Sequence, residues 1–194
     1  MLLDIDQYKE ILKNKYKEAA SPRSESRYLH SLSVGKKAVE IAKTFNFDVD
    51  LEKLEIAGIL HDYAKFETMD KFTQIVQEYG LDKNILNENF KILHALLGPY
   101  IIQKELGITD IEILNAIRNH ATGSLDMDIY SEIIYIADVS EDLRVGEGFD
   151  KVKELSKIDF RMAILEKIEF SLAKNNTELN RKLFQKYQED KWKY

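Results

Sequence analysis

Apolar residues recur at helical spacing along nearly the whole chain. Ile5, Tyr8, Leu12, Tyr16 and Ala19 form one stripe with Lys9, Glu10, Lys13 and Lys17 opposite, which predicts an amphipathic first helix. Ser21-Pro22 reads as an N-cap followed by proline at the first helical position, opening a helix that runs through His30 to about Phe45. A third helix starts near Asp50 and turns apolar almost all round from Ile56 to Ala64, so it belongs at the centre of the fold. Shorter helices are expected over about 71–79 and 89–105. Pro99 cannot donate to the carbonyl of Ala95, so a kink or restart is expected just after His94. Thr109 with Glu112 fits a capping box for a helix reaching His120. The string "EIIYIADV", 132–139, suits a strand as well as a buried helix. Two or three amphipathic helices follow from 149 to 194, one with Phe160, Ile164, Ile168 and Leu172 at four-residue spacing.

Composition narrows this picture. Two prolines and eight glycines in 194 residues supply too few turns for an all-β fold. With no linker, repeat or low-complexity segment in view, the expectation is one all-α domain. Its core spans about 21–144 and its C-terminal helical extension about 149–194. Lys and Arg total 28 against 34 for Asp and Glu, a net charge of −6, which argues against a broad face for a nucleic-acid polymer or a membrane. The absence of cysteine excludes disulfides, thiolate metal sites and iron–sulfur clusters. The start, "MLLDIDQYKE", has no signal-peptide pattern, and no apolar run approaches the ~18 residues of a membrane span. A soluble cytoplasmic protein is expected.

The chain has four histidines, His30, His61, His94 and His120, each on or at the end of a predicted helix beside apolar residues. His61-Asp62 follows "IAGIL", His94 sits in "KILHALL", and Asp138 follows "IIYIA". A buried carboxylate without a partner is costly, and mutual pairing or a metal cation is the usual remedy. Imidazole and carboxylate ligands suit iron, manganese or zinc rather than calcium. Taken singly, each residue also has an ordinary reading. A histidine on an apolar helix face is commonly a hydrogen-bonded core residue, an aspartate near a helix end a cap, and Gly58 an aid to helix packing. Residue types and spacing therefore leave a metal site and a satisfied core equally open.

The order His30, His61-Asp62, Asp138 resembles the HD superfamily of metal-dependent phosphohydrolases, and His94 and His120 match its two-metal variant. The local strings "RYLHSLSV", "AGILHDYAK", "ILHALLG", "AIRNHATG" and "IIYIAD" followed by Glu141 and Arg144 are similar to the YqeK-type bacterial hydrolases, over roughly 21–144. That resemblance implies an all-helical HD-domain bundle that cleaves diadenosine tetraphosphate symmetrically to two ADP. It also implies two divalent or trivalent metal ions, iron first, with manganese, cobalt and zinc as alternatives. One metal would take His30, His61 and Asp138, the other His94 and His120, with Asp62 bridging and a metal-bound hydroxide as nucleophile.

Substrate-binding candidates follow from the same match. Lys65, one turn after His61-Asp62 and expected on the same helical face, would meet a phosphate oxygen and act with Asp62 in catalysis. Arg27, one turn before His30, would offer a bidentate fork to phosphate. Arg118 and Arg144 are weaker candidates, either of which could instead fix a neighbouring carboxylate such as Glu141. Thr122 and Gly123 would approach the nucleotide with a hydroxyl and a close backbone.

Departures from the family pattern bear on substrate choice. Ala121 stands where a first threonine is usual, and "VSEDLR" replaces an aromatic-Ile-Glu-Pro string. Other readings are an HD nucleotidase or deoxynucleotide phosphohydrolase of different specificity, a di-iron HD oxygenase, or a non-catalytic metal-binding regulatory domain. The C-terminal helices would either close the pocket or form a homodimer.

Overall fold

Short polar side chains start most of the helices. Asp4, Asp50, Thr68, Asn89, Asp110, Asp128, Asp159 and Thr177 each accept a hydrogen bond from a first-turn backbone N–H. The helices of the computed structural model are α1 (Ile5–Glu18), α2 (Ser24–Thr44), α3 (Leu51–Leu60), α4 (Met69–Glu78), α5 (Phe90–Leu106), α6 (Ile111–Asn119), α7 (Ile129–Ser140), α8 (Glu147–Leu155), α9 (Phe160–Lys174) and α10 (Glu178–Gln188). A short 3-10 helix, Lys83–Asn87, precedes α5, and there is no strand among the described residues. The structure describes residues 2–189, with the backbone alone at 147. Met1 and 190–194, the end of the expected C-terminal extension, lie outside the described residues.

The all-α expectation holds, with local corrections. Helix α2 begins at Ser24 rather than at Pro22, because Ser21 and Pro22 form a turn in which the Ser21 carbonyl accepts the Ser24 N–H. Asp110, not Thr109, caps α6 and takes the N–H groups of Glu112 and Ile113. Helix α5 runs through Pro99 without a restart, with Leu93, Leu97, Ile101 and Ile102 buried on either side of it. The ambiguous 132–139 segment is helical. Every residue from 130 to 137 is buried, and Asp128 caps the start.

Helix α3 lies at the centre, against α1, α2, α6 and α7. It crosses α2 through two glycines: a Cβ on Gly58 would lie 2.5 Å from the Gly35 Cα, and one on Gly35 would lie 2.9 Å from the Glu55 carbonyl oxygen. Only glycine permits this approach of backbone to backbone. The C-terminal helices join through α7, which touches α8 and α9, while α10 packs on α9. The Tyr187 hydroxyl of α10 donates to the buried Glu132 of α7, whose other oxygen has no partner among the described residues. No helix among the described residues is long and apolar enough to cross a membrane.

Gly58→Ala is expected to lower stability by about 2 kcal/mol despite alanine's better helix propensity, and an unchanged melting midpoint would contradict the close crossing. Burial pushes the Glu132 carboxyl up to about 7 from its ordinary 4.5. The folded state therefore holds this proton more tightly than the unfolded chain, so its contribution is complete below about 4.5 and is lost as pH rises through 7. Denaturant titrations of Glu132→Gln should show stability falling less than in the parent between pH 5 and 8 (roughly that window).

Candidate metal centre

His61 and His120 are placed by one device used twice. Each stands at the C-terminal cap of its helix, α3 or α6, with Nδ1 2.7 Å from the carbonyl three residues back, Gly58 or Ile117. A carbonyl only accepts, so Nδ1 carries the proton and Nε2 keeps its lone pair. His30, in α2, has Nδ1 3.0 Å from Glu141 Oε1 and Nε2 3.1 Å from Asp138 Oδ1. His94, in α5, has Nε2 3.2 Å from His120 Nε2.

Asp62 stands between these rings. Its Oδ2 is 3.6 Å from His61 Nε2, while Oδ1 is 2.9 Å from His94 Nε2 and 3.6 Å from His120 Nε2. Donor atoms of His30, His61 and Asp62 lie within 4.8 Å of one another, and so do those of Asp62, His94 and His120. Asp138 Oδ1, 3.7 Å from His61 Nε2, adjoins the first group. The structure thus brings all six predicted ligands to one place, in two groups that share Asp62.

The protonation states follow from burial and neighbours. Burial pushes His61 down to about 3 and also lowers His94. Burial works against His30 as well, but Asp138 and Glu141 outweigh it and raise that ring. Burial would raise Asp62, yet His61, His120, His94 and Lys65 hold it well below the usual carboxylate range. Asp138 is likewise held down, by His30, His61 and Lys167. His61 Nε2 is fully buried and has no hydrogen-bond partner among the described residues. An unpartnered imidazole nitrogen beside ionised carboxylates is the donor set of a divalent metal site, and the residues fit one.

Cations ring this centre. Lys65 Nζ is 3.3 Å from Asp62 Oδ1 and 3.1 Å from His94 Nε2. It arrives there by a different route from the one expected, because α3 stops at Leu60 and does not continue to Ala64. The chain goes on in tighter i→i+3 turns, with Tyr63 N–H donating to Leu60 and Lys65 N–H to Asp62. Arg27 Nη1 is 3.2 Å from Asp62 Oδ2, and Arg144 Nη2 is 3.0 Å from Asp138 Oδ1. The other three candidates make their contacts elsewhere. Arg118 stacks over Tyr100 and donates to the Leu96 carbonyl. The Thr122 hydroxyl donates to the Gly123 carbonyl, and Gly123, at φ +69°, is packed near Leu183, Tyr135 and Met127.

Three supporting groups have no place in the sequence reading. The Tyr16 hydroxyl donates to the Asp62 carbonyl at 2.7 Å. The Gly58 carbonyl, whose residue was read only for packing, orients His61. Lys167, in α9, is buried and donates to the carbonyls of His120, at 3.1 Å, and Tyr135. Burial pushes its ammonium down to about 7, against the pull of Asp138. Its signal was present: Lys167 lies on the apolar stripe of Phe160, Ile164 and Ile168. In the "VSEDLR" segment, Glu141 anchors His30 and Asp142 pairs with Lys37 at 3.3 Å. Glu141→Ala should weaken metal affinity about tenfold to a hundredfold, measured by titration of the metal-free protein. Unchanged affinity would remove Glu141 from the support of His30.

The HD domain family model matches residues 27–142. A Bacillus subtilis (strain 168) protein named "Bis(5'-nucleosyl)-tetraphosphatase, symmetrical" is 36% identical over 77% of this chain and 80% of its own length. A Staphylococcus aureus protein of the same name is 35% identical over 77% of this chain and 75% of its own. A Clostridium acetobutylicum crystal structure, described as a predicted HD superfamily hydrolase involved in NAD metabolism, superposes with a TM-score of 0.80 at 28% identity. That superposition covers 97% of this chain and 98% of the other. With a family model that matches more than half of the chain and relatives at 35–36% identity, the chain belongs to the HD domain family.

Proposed function

We propose that the protein hydrolyses diadenosine tetraphosphate at its central bridge, releasing two ADP, at a dinuclear metal centre. The observation that carries this reading is the position of Asp62, whose two oxygens face different histidines in the two ligand groups. Relatives named as symmetrical tetraphosphatases support the substrate and the cleavage point. His30, His61 and Asp138 would hold one ion, His94 and His120 the other, and Asp62 would bridge them. A nitrogen and oxygen donor set without thiolate is compatible with iron, which we take as the resident metal ahead of manganese, cobalt or zinc.

When bound, two ions would supply Lewis acidity that activates water at neutral pH and positive charge for the phosphates. The chain does the rest. Glu141 and the Gly58 and Ile117 carbonyls hold the rings of His30, His61 and His120 in fixed orientation. Lys65, beside Asp62 and His94, carries an ammonium that can donate to a phosphate oxygen as negative charge builds in the transition state. Arg27 and Arg144 each pair with a ligand carboxylate and also line the neighbouring cleft. A strongly anionic substrate thus finds local cations on a protein of net charge −6.

Chromatography of the products from diadenosine tetraphosphate tests this reading. Two ADP are expected; ATP with AMP, or no turnover with iron, manganese or cobalt, would sink it. Lys65→Ala should cut kcat by about a hundredfold with the metals retained, and an undiminished rate would return Lys65 to a surface charge. Asp62→Ala should abolish turnover, and retained turnover would refute the bridging role.

A further inference from the structure

The face of α2 that carries His30 continues outward toward the start of the helix. Ser26 and Arg27 lie three and four residues after Arg23, and His30 four and three residues after them, so the four share one side of the first two turns. All four line a cleft of about 300 Å³, whose opposite wall is Glu141, Leu143 and Arg144 from the segment after α7. His30 and Glu141 are buried at its inner end, whereas Leu29 and Leu143 are 48% and 57% exposed at its mouth. Among the described side chains, none from α8, α9 or α10 lines it.

The chemistry of these walls is specific. Three guanidiniums border the cleft, and the one carboxylate among its described lining residues, Glu141, is engaged by His30 and by the Leu143 N–H. Arg23 has no acidic partner among the described residues. An unpaired cation one turn from a second arginine selects an anion with more than one charged oxygen. Two exposed leucines at the mouth of the same cleft offer an apolar surface to something flat. His30 belongs to both the cleft and the ligand cluster, so a chain of phosphates lying in the cleft leads directly to the metal centre.

We propose that this cleft seats one nucleoside diphosphate arm of the substrate. Its phosphates lie on Arg23 and Arg27, and its base lies against Leu29 and Leu143. The assignment rests on the hydrolase reading above and adds to it the residues that grip one half of a symmetrical substrate. A volume of about 300 Å³, at the low end of ligand sites, suits one arm and not both. Cleavage at the central bridge then leaves ADP in the cleft, so the product is also a ligand of the enzyme.

Calorimetric titration of the metal-loaded protein with ADP and, separately, with inorganic pyrophosphate tests the assignment. Arg23→Ala is expected to weaken both probes about tenfold. Leu143→Ala is expected to weaken ADP about fivefold and leave pyrophosphate unchanged. Both side chains are exposed, and the Leu143 backbone keeps its bond to Glu141 in the variant. Equal weakening of both probes by Leu143→Ala, or unchanged ADP affinity in either variant, overturns the proposal. Product analysis separates the two readings. Two ADP from the parent with unaltered ADP affinity in the variants removes the cleft assignment alone, and ATP with AMP removes the symmetrical hydrolase.

Discussion

Asp62 is 2% exposed and ionised at the middle of a helical core. A buried carboxylate of this kind costs several kcal/mol unless positive charge and hydrogen-bond donors surround it. The rest of the molecule is arranged around that requirement. Helix α3 ends on it and α2 sends Arg27 to Oδ2, while α5 and α6 place His94 and His120 beside Oδ1 as neighbouring ligand groups. Lys65 folds back onto it through a tight turn, and Tyr16 of α1 fixes its carbonyl. Remove the charge at this point and the ends of four helices lose their common partner.

The geometry depends equally on how closely α2 and α3 approach. Gly35 and Gly58 let the two backbones touch, which brings His30 of one helix beside His61 of the other, their ring centroids 5.1 Å apart. Gly58 then serves a second purpose, because its carbonyl holds His61 Nδ1 and leaves Nε2 aimed at the carboxylates. The C-terminal helices act from behind. Lys167 ties α9 to the end of α6 and to α7, so the extension supports His120 from outside the ligand cluster.

Much of this was legible in the chain. Apolar periodicity marked the helices, and the pairing of ionisable residues with apolar approaches marked His61-Asp62, His94 and Asp138 as buried chemistry. The motif order then selected one use of those residues. What could not be read were the long-range terms. The end of α3 at Leu60 depends on a side chain taking the Gly58 carbonyl, which periodicity does not register. The start of α2 shifted because Ser21 closes a turn onto the Ser24 N–H, and the cap of α6 shifted because the neighbouring Asp110 takes two first-turn N–H groups. Arg118, Thr122 and Gly123 adjoin the His120 motif in sequence, but only the tertiary contacts reveal that their bonds lie elsewhere. Arg23 and Leu143 gained meaning only when α2 and the segment after α7 were seen to face one cleft.

The central claim is that one carboxylate joins two metal positions. Native mass spectrometry of the protein loaded with ferrous iron counts the ions directly. Two ions per chain are expected in the parent and one in His94→Ala, since the group of His30, His61, Asp62 and Asp138 remains whole. A single ion in the parent, or two ions retained by His94→Ala, would contradict the account.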